Sequence, residues 1–212
     1  MRTRAIAGLR LGVIAELCGI DVPQDLRRQK GWVGQLLERV LGADAQSLAE
    51  PDFRAIGVEM KTLPLDSNGK PRESTYVCTV PLEEGLEPDW ESTWIRRKLS
   101  RVLWLPVEAD PQLSIADRRV GNALLWSPSV EEESLLRQDW EDLTEMICMG
   151  ELEQISARMG TVLQIRPKAA NSRVRCRSVG AAGEAIVTNP RGYYLRPAFT
   201  QRILGHHFHQ SG

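Results

Sequence analysis

Residues 57–65, GVEMKTLPL, constrain the fold more than any other stretch of the chain. Side chains alternate faces on a strand, so Val58 and Met60 point one way while Glu59 and Lys61 point the other. Such a strand buries one side against a core and offers a carboxylate and an ammonium on the other. Flanking segments have the helical periodicity needed to build that core. Residues 11–18 place Leu11, Ile14, Ala15 and Cys18 on one face, with Gly19 as a C-terminal stop, and residues 32–41 place Leu36, Leu37, Val40 and Leu41 inward. Further strands are expected at 74–80, 101–108, 118–126, 161–166 and 192–196. Further helices are expected at 93–99, from Ser127-Pro128 towards Gly150 with a short piece to about Arg158, and at 198–208. Asn68-Gly69 between the strands at 57–65 and 74–80 signals a hairpin turn. The pattern predicts an α/β fold with a mixed sheet flanked by helices, and the hairpin argues against a purely parallel sheet. No repeat or linker interrupts the 212 residues, which read as one domain with room for two lobes.

Charge is more informative in its distribution than in its sum of -1. Glu131, Glu132, Glu133, Asp139, Glu141, Asp142, Glu145, Glu151 and Glu153 crowd one segment and read as a solvated acidic helix face. Arg96, Arg97, Lys98 and Arg101 form one basic cluster, and Arg166, Lys168, Arg173, Arg175 and Arg177 form another in a loop region. A near-neutral chain can therefore carry a basic surface suited to a polyanion. The basic-then-apolar start is interrupted by Arg10 and Glu16 and lacks a small-residue cleavage site, so it reads as a helix and not a signal peptide. No apolar run is long enough for a membrane span. Cys18, Cys78, Cys148 and Cys176 are widely spaced, which argues against zinc and suits buried, reduced thiols of a cytoplasmic protein.

Pro51-Asp52 precedes Glu59-x-Lys61 by a short loop. A turn there can swing Asp52 back towards Glu59, so that two carboxylates and the backbone carbonyl of Met60 offer hard oxygen donors of the kind Mg²⁺ prefers. Lys61 beside them can orient or deprotonate a water and balance charge on a phosphate. By spacing alone, Glu59 and Lys61 also fit a solvated strand face with a weak ion pair. The literal Pro-Asp, Glu-x-Lys arrangement resembles the signature of restriction-endonuclease-like nucleases.

The flanking blocks sharpen the resemblance. LRRQKGWVGQLLERVLGA, PDFRAIGVEMKTLPLDSNGKPRESTYVC, KLSRVLWLPVE, RRVGNALLWSP, LQIRPKAAN and PRGYYLRPAFT resemble, in order and from about Leu9 to Phe208, the MutH family of mismatch-repair strand-nicking endonucleases. The resemblance implies a restriction-endonuclease-like fold with two lobes around a DNA-binding cleft. It implies Mg²⁺-dependent cutting of the unmethylated strand of hemimethylated GATC, 5′ of the guanine; the lack of a repeat or an evident dimer helix favours a monomer. The partners implied are double-stranded DNA, the ATPase MutL and, indirectly, the mismatch sensor MutS. Asp52 and Glu59 match the family's metal carboxylates, Lys61 its water-positioning lysine, and Glu38 a further acidic site residue. Lys30 and Lys98 match basic positions near the DNA backbone or active site, Arg166 and Lys168 the loop that enters the major groove, and Tyr194 the sensor of adenine N6. A cationic side chain there can donate to guanine O6 and N7. Tyr193 and Tyr194 should face opposite sides of a regular strand, one in the core, with Gly192 admitting a close approach of DNA. The chain departs from the family pattern in a shorter N-terminus and in the arginine-rich SRVRCR at 172–177.

Two competing readings share these residues. One is a restriction enzyme cutting both strands of a GATC-type site; the other is an inert DNA-binding module. The first usually requires a dimer or duplicated domain, and the second would be favoured by loss of Asp52, Glu59 or Lys61, all of which are present.

Overall fold

The expected strand at 57–65 forms as β1 (Glu59–Leu65) in a computed structural model of the chain. The structure describes every residue except 1, 46–49, 84, 169–173 and 210–212, and omits the side chains of 207–209. β1 runs parallel to β3 (Val102–Glu108), which pairs antiparallel with β4 (Leu124–Trp126), giving the mixed sheet β1-β3-β4. α1 (Arg2–Ile6), α2 (Leu11–Cys18) and α3 (Trp32–Leu41) accompany this sheet. Leu11 and Ile14 of α2, Leu36 and Leu37 of α3, and Met60, Leu105 and Val107 of the strands form one buried cluster. Each such side chain contributes roughly 1.5–3 kcal/mol through burial. Gly19 and Gly42 end α2 and α3 in the left-handed conformation, their N–H groups returning to helix carbonyls. The single helix expected at the start is split before Leu11, where Arg10 is extended and bridges Arg119.

β1 and β3 belong to one of two compact units, residues 1–73, 100–127 and 201–212; residues 74–99 and 128–200 form the second. In the second unit, β8 (Arg191–Leu195) lies between β2 (Thr75–Thr79) and β5 (Leu163–Pro167), antiparallel to both. β6 (Cys176–Val179) and β7 (Ala185–Thr188) form a separate antiparallel pair. α4 (Trp94–Leu99) and α5 (Val130–Cys148) complete the unit, and α6 (Pro197–His209) begins in it. α5 starts with a capping box, Ser129 and Glu132 satisfying each other's backbone N–H groups. Among the described residues no helix is long and apolar enough to cross a membrane.

Several expectations need correction. β1 and β2 are not a hairpin: they lie in different sheets and different units. The Asn68-Gly69 turn does form, because Asp66 accepts the N–H groups of Asn68 and Lys70, but its flanks take other partners. The strand at 118–126 shortens to Leu124–Trp126, and Val120 makes only an isolated bridge to Val107. The acidic segment is not a uniform solvated face: Glu132 and Asp139 are buried, and Glu133 accepts from the Trp90 indole at 3.2 Å and from Arg96 at 2.7 Å. The four cysteines are free thiols, yet Cys148 is exposed and only Cys78 is buried. Part of the basic region read as loop is the strand β6, while 169–173 lie outside the described residues.

Candidate active site

The loop before β1 is shaped by its own backbone. Phe53 and Val58 exchange N–H to carbonyl bonds at 2.9 and 3.3 Å around a short 3₁₀ turn, closed by Gly57 at φ 61°. That closure turns Asp52 back alongside β1, where its Oδ2 accepts the Met60 N–H at 2.7 Å. Strand amides point alternately to opposite sides. The Glu59 N–H goes to Arg101 at 3.0 Å, leaving the Met60 N–H on the side taken by Asp52. The Met60 carbonyl shares that side, because the N–H and C=O of one strand residue point the same way.

Glu59 and Lys61 occupy one face of β1, as their spacing requires. Lys61 Nζ donates to Glu59 Oε1 at 2.7 Å, and the two side chains are 13% and 4% exposed. This is not the solvated pair that spacing alone permits: water is largely excluded, so the charges act on each other and on any neighbouring ligand with little screening. Glu38 is half-buried on α3, one turn beyond Gly34, where an added Cβ would come 3.8 Å from Glu38 Oε1. Among the described residues no group of three or more His, Cys, Asp or Glu is gathered as a metal cluster, so Glu38 does not complete a trio with Asp52 and Glu59. Lys30 is exposed just before Gly31, the N-cap of α3, and Lys98 lies half-buried in the last turn of α4.

The remaining candidates meet on one face of the β2-β8-β5 sheet. Tyr194 stands opposite both Tyr76 and Gln164, and Gly192 stands opposite Arg166. Tyr193 points to the other face and is 1% exposed; burial pushes its phenol well above the ordinary value. The Tyr76 and Tyr194 rings meet edge to face with centroids 5.4 Å apart. Lys168 places Nζ 3.7 Å from the Tyr76 ring centroid, donates to the Tyr76 hydroxyl, and lies 3.3 Å from Thr79 Oγ1. Arg166 donates to Ser74 Oγ at 3.1 Å, and its Cζ is 6.0 Å from the Tyr194 ring centroid. A Cβ at Gly192 would come 3.1 Å from each tyrosine ring. A side chain there would press on the protein's own aromatics, which gives glycine a structural reason at this position beside the expected approach of DNA.

Two residues of this arrangement escaped the sequence reading. Tyr76 sits 92 positions from Lys168, so local spacing carries no sign of the contact. Asp139 looked like one more solvated helix acid. Instead it is 4% exposed and accepts the N–H groups of Thr161, Val162 and Leu163 at 2.7, 2.6 and 2.7 Å, fixing the start of β5.

Comparison with known proteins defines the class as DNA mismatch repair enzymes. The family model described as "DNA mismatch repair enzyme MutH" matches residues 41–139. The DNA mismatch repair proteins MutH of Salmonella paratyphi C (strain RKS4594) and Salmonella choleraesuis (strain SC-B67) are each 54% identical over 207 residues, covering 98% of this chain and 90% of theirs. That of Salmonella paratyphi B (strain ATCC BAA-1250 / SPB7) is 53% identical over the same span. The chain belongs to the MutH family.

Proposed function

We propose that the protein nicks the unmethylated strand of hemimethylated GATC, 5′ of the guanine, in a Mg²⁺-dependent reaction that serves mismatch repair. The observation that carries this reading is the junction at β1, where Asp52 is bonded to the Met60 amide and Lys61 is held against the buried Glu59. Asp52, Glu59 and the Met60 carbonyl are hard oxygen donors that fit Mg²⁺; Glu38 on α3, which the resemblance adds to the set, is not gathered with them among the described residues. When bound, the ion supplies Lewis acidity at the phosphate and a more acidic water. The other contributions come from the chain itself. Lys61 orients the attacking water with its ammonium and offsets charge building on the scissile phosphate. Low exposure of Glu59 and Lys61 keeps their positions fixed and their fields strong.

Lys30 and Lys98 are assigned to the DNA backbone. Arg166 and Lys168 are assigned to the base edges, where each can donate to guanine. Tyr194 is assigned to the adenine N6 position: Gly192 and the Tyr76 ring confine it, so a methyl group arriving there meets a ring that cannot easily retreat. MutL, and through it MutS, are the partners that family membership suggests, and the active form is a monomer. Mg²⁺-dependent cleavage of unmethylated, hemimethylated and fully methylated GATC duplexes tests the proposal. Cutting confined to unmethylated strands is expected, and Tyr194→Ser should raise cleavage of fully methylated duplex relative to unmethylated duplex. Cutting of both strands of every duplex, or none with Mg²⁺, would defeat it.

A further inference from the structure

A cavity of about 740 Å³ in the first unit is lined by Arg27, Lys30, Arg72 and Arg118 against a single acid, Glu73. The first turn of α3 forms part of its wall through Trp32, Val33 and Gly34. No side chain caps that helix, whose N-cap is Gly31, so the positive end of its backbone dipole faces the cavity. Arg118 is the least solvated of the cations, and its Nε is buried without a hydrogen-bond acceptor. Burial, and then the neighbouring Arg72 guanidinium, press Arg118 below the ordinary arginine value, with Asp110 opposing them. Arg72 is itself fixed in place by donating to the Ala109 carbonyl.

Cations crowded into a concave wall repel one another, and the repulsion is relieved when an anion enters. A planar guanidinium matches the oxygens of a phosphate, and the leftover Nε donor asks for an acceptor of that kind. A helix N-terminus adds backbone N–H groups suited to the same ligand. We propose that Arg27, Arg72 and Arg118, together with Lys30 and the start of α3, form a phosphate-binding subsite separate from the Asp52–Glu59–Lys61 cluster. The phosphate can come from the DNA backbone or from a free polyphosphate. The first source rests on the proposed function; the second does not.

The test uses the full chain with Arg72→Leu, Arg118→Gln and Arg118→Lys variants, whose folding is checked by circular dichroism and thermal melting. Arg72 is exposed, so its variant should fold even if changes at the half-buried Arg118 do not. Duplex affinity is measured across salt concentrations, and melting is measured with and without pyrophosphate. If the phosphate is DNA's, the slope of log K against log salt should fall by about 0.9 in Arg72→Leu, for one lost contact, with GATC preference retained. If it is free, pyrophosphate should raise the melting temperature of the wild type but not of the variants, with slopes unchanged. Unchanged slopes together with equal pyrophosphate responses in wild type and variants would overturn the subsite. A wild type that binds no duplex at low salt would defeat the DNA reading, leaving the pyrophosphate measurement to decide the subsite.

Discussion

In the first unit, Asp52 is tied to the main chain of β1 and Lys61 to a glutamate that is almost fully buried. In the second, the head groups of Arg166 and Lys168 are exposed and tied to Ser74, Tyr76 and Thr79, side chains that can let them go. A group bonded to the backbone moves only if the fold moves, which suits chemistry that needs its charges placed before the reaction begins. Under the proposed function, a cation parked on a tyrosine ring and hydroxyl exchanges those acceptors for guanine O6 and N7 when DNA arrives. On the proposed function the contrast means that hydrolysis and base reading are built separately and should fail separately.

The largest expected effect is in the first unit. Asp52→Ala, Glu59→Ala and Lys61→Ala should each lower the nicking rate by about three orders of magnitude or more, while duplex binding persists. Single-turnover cleavage beside filter binding checks this, and near-wild-type turnover in any of the three would remove that residue from the chemistry. Next is Asp139→Ala, which strands three backbone N–H groups at the start of β5. A stability loss of roughly 3 kcal/mol or more is expected by urea unfolding, since each buried donor left unpaired costs about 1–3 kcal/mol. A loss under about 1 kcal/mol would mean that water replaces the carboxylate.

Smaller effects concern reading alone. Lys168→Ala should reduce discrimination between GATC and altered sites by roughly 1–3 kcal/mol. Uniform weakening on all sequences would make Lys168 a phosphate contact instead. Tyr76→Phe keeps the ring but removes the hydroxyl that holds Lys168 in the free protein. Duplex affinity should rise a few-fold, in line with the roughly 0.5–1.5 kcal/mol of one hydrogen bond. Weaker binding would show that the hydroxyl itself contacts DNA.

The same contrast explains what could be read from the sequence. Helix 32–41 and the strand near 57–65 were legible because apolar periodicity is local, and so was the Asp52–Glu59–Lys61 set, whose members lie within one loop and strand. The Tyr76–Tyr194 face was only half legible. Alternation correctly separated Tyr193 from Tyr194, but Tyr76 comes from a strand that pairs with β8 from across the chain. Asp139 was hidden because a charged residue among charged residues on a helix looks solvated, and only tertiary packing brings the amides of 161–163 to it. The Asn68-Gly69 turn was real while the hairpin was not, because turn chemistry fixes a local bend and strand partners are chosen by the sheet.

One measurement tests the separation directly: binding preference and cleavage for Lys61→Ala and Lys168→Ala on matched GATC and scrambled duplexes with Mg²⁺. Lys61→Ala should keep the wild-type preference for GATC and cut neither duplex, while Lys168→Ala should retain cutting and lose the preference. Cleavage by Lys61→Ala at the wild-type rate, or full sequence preference in Lys168→Ala, would contradict the account.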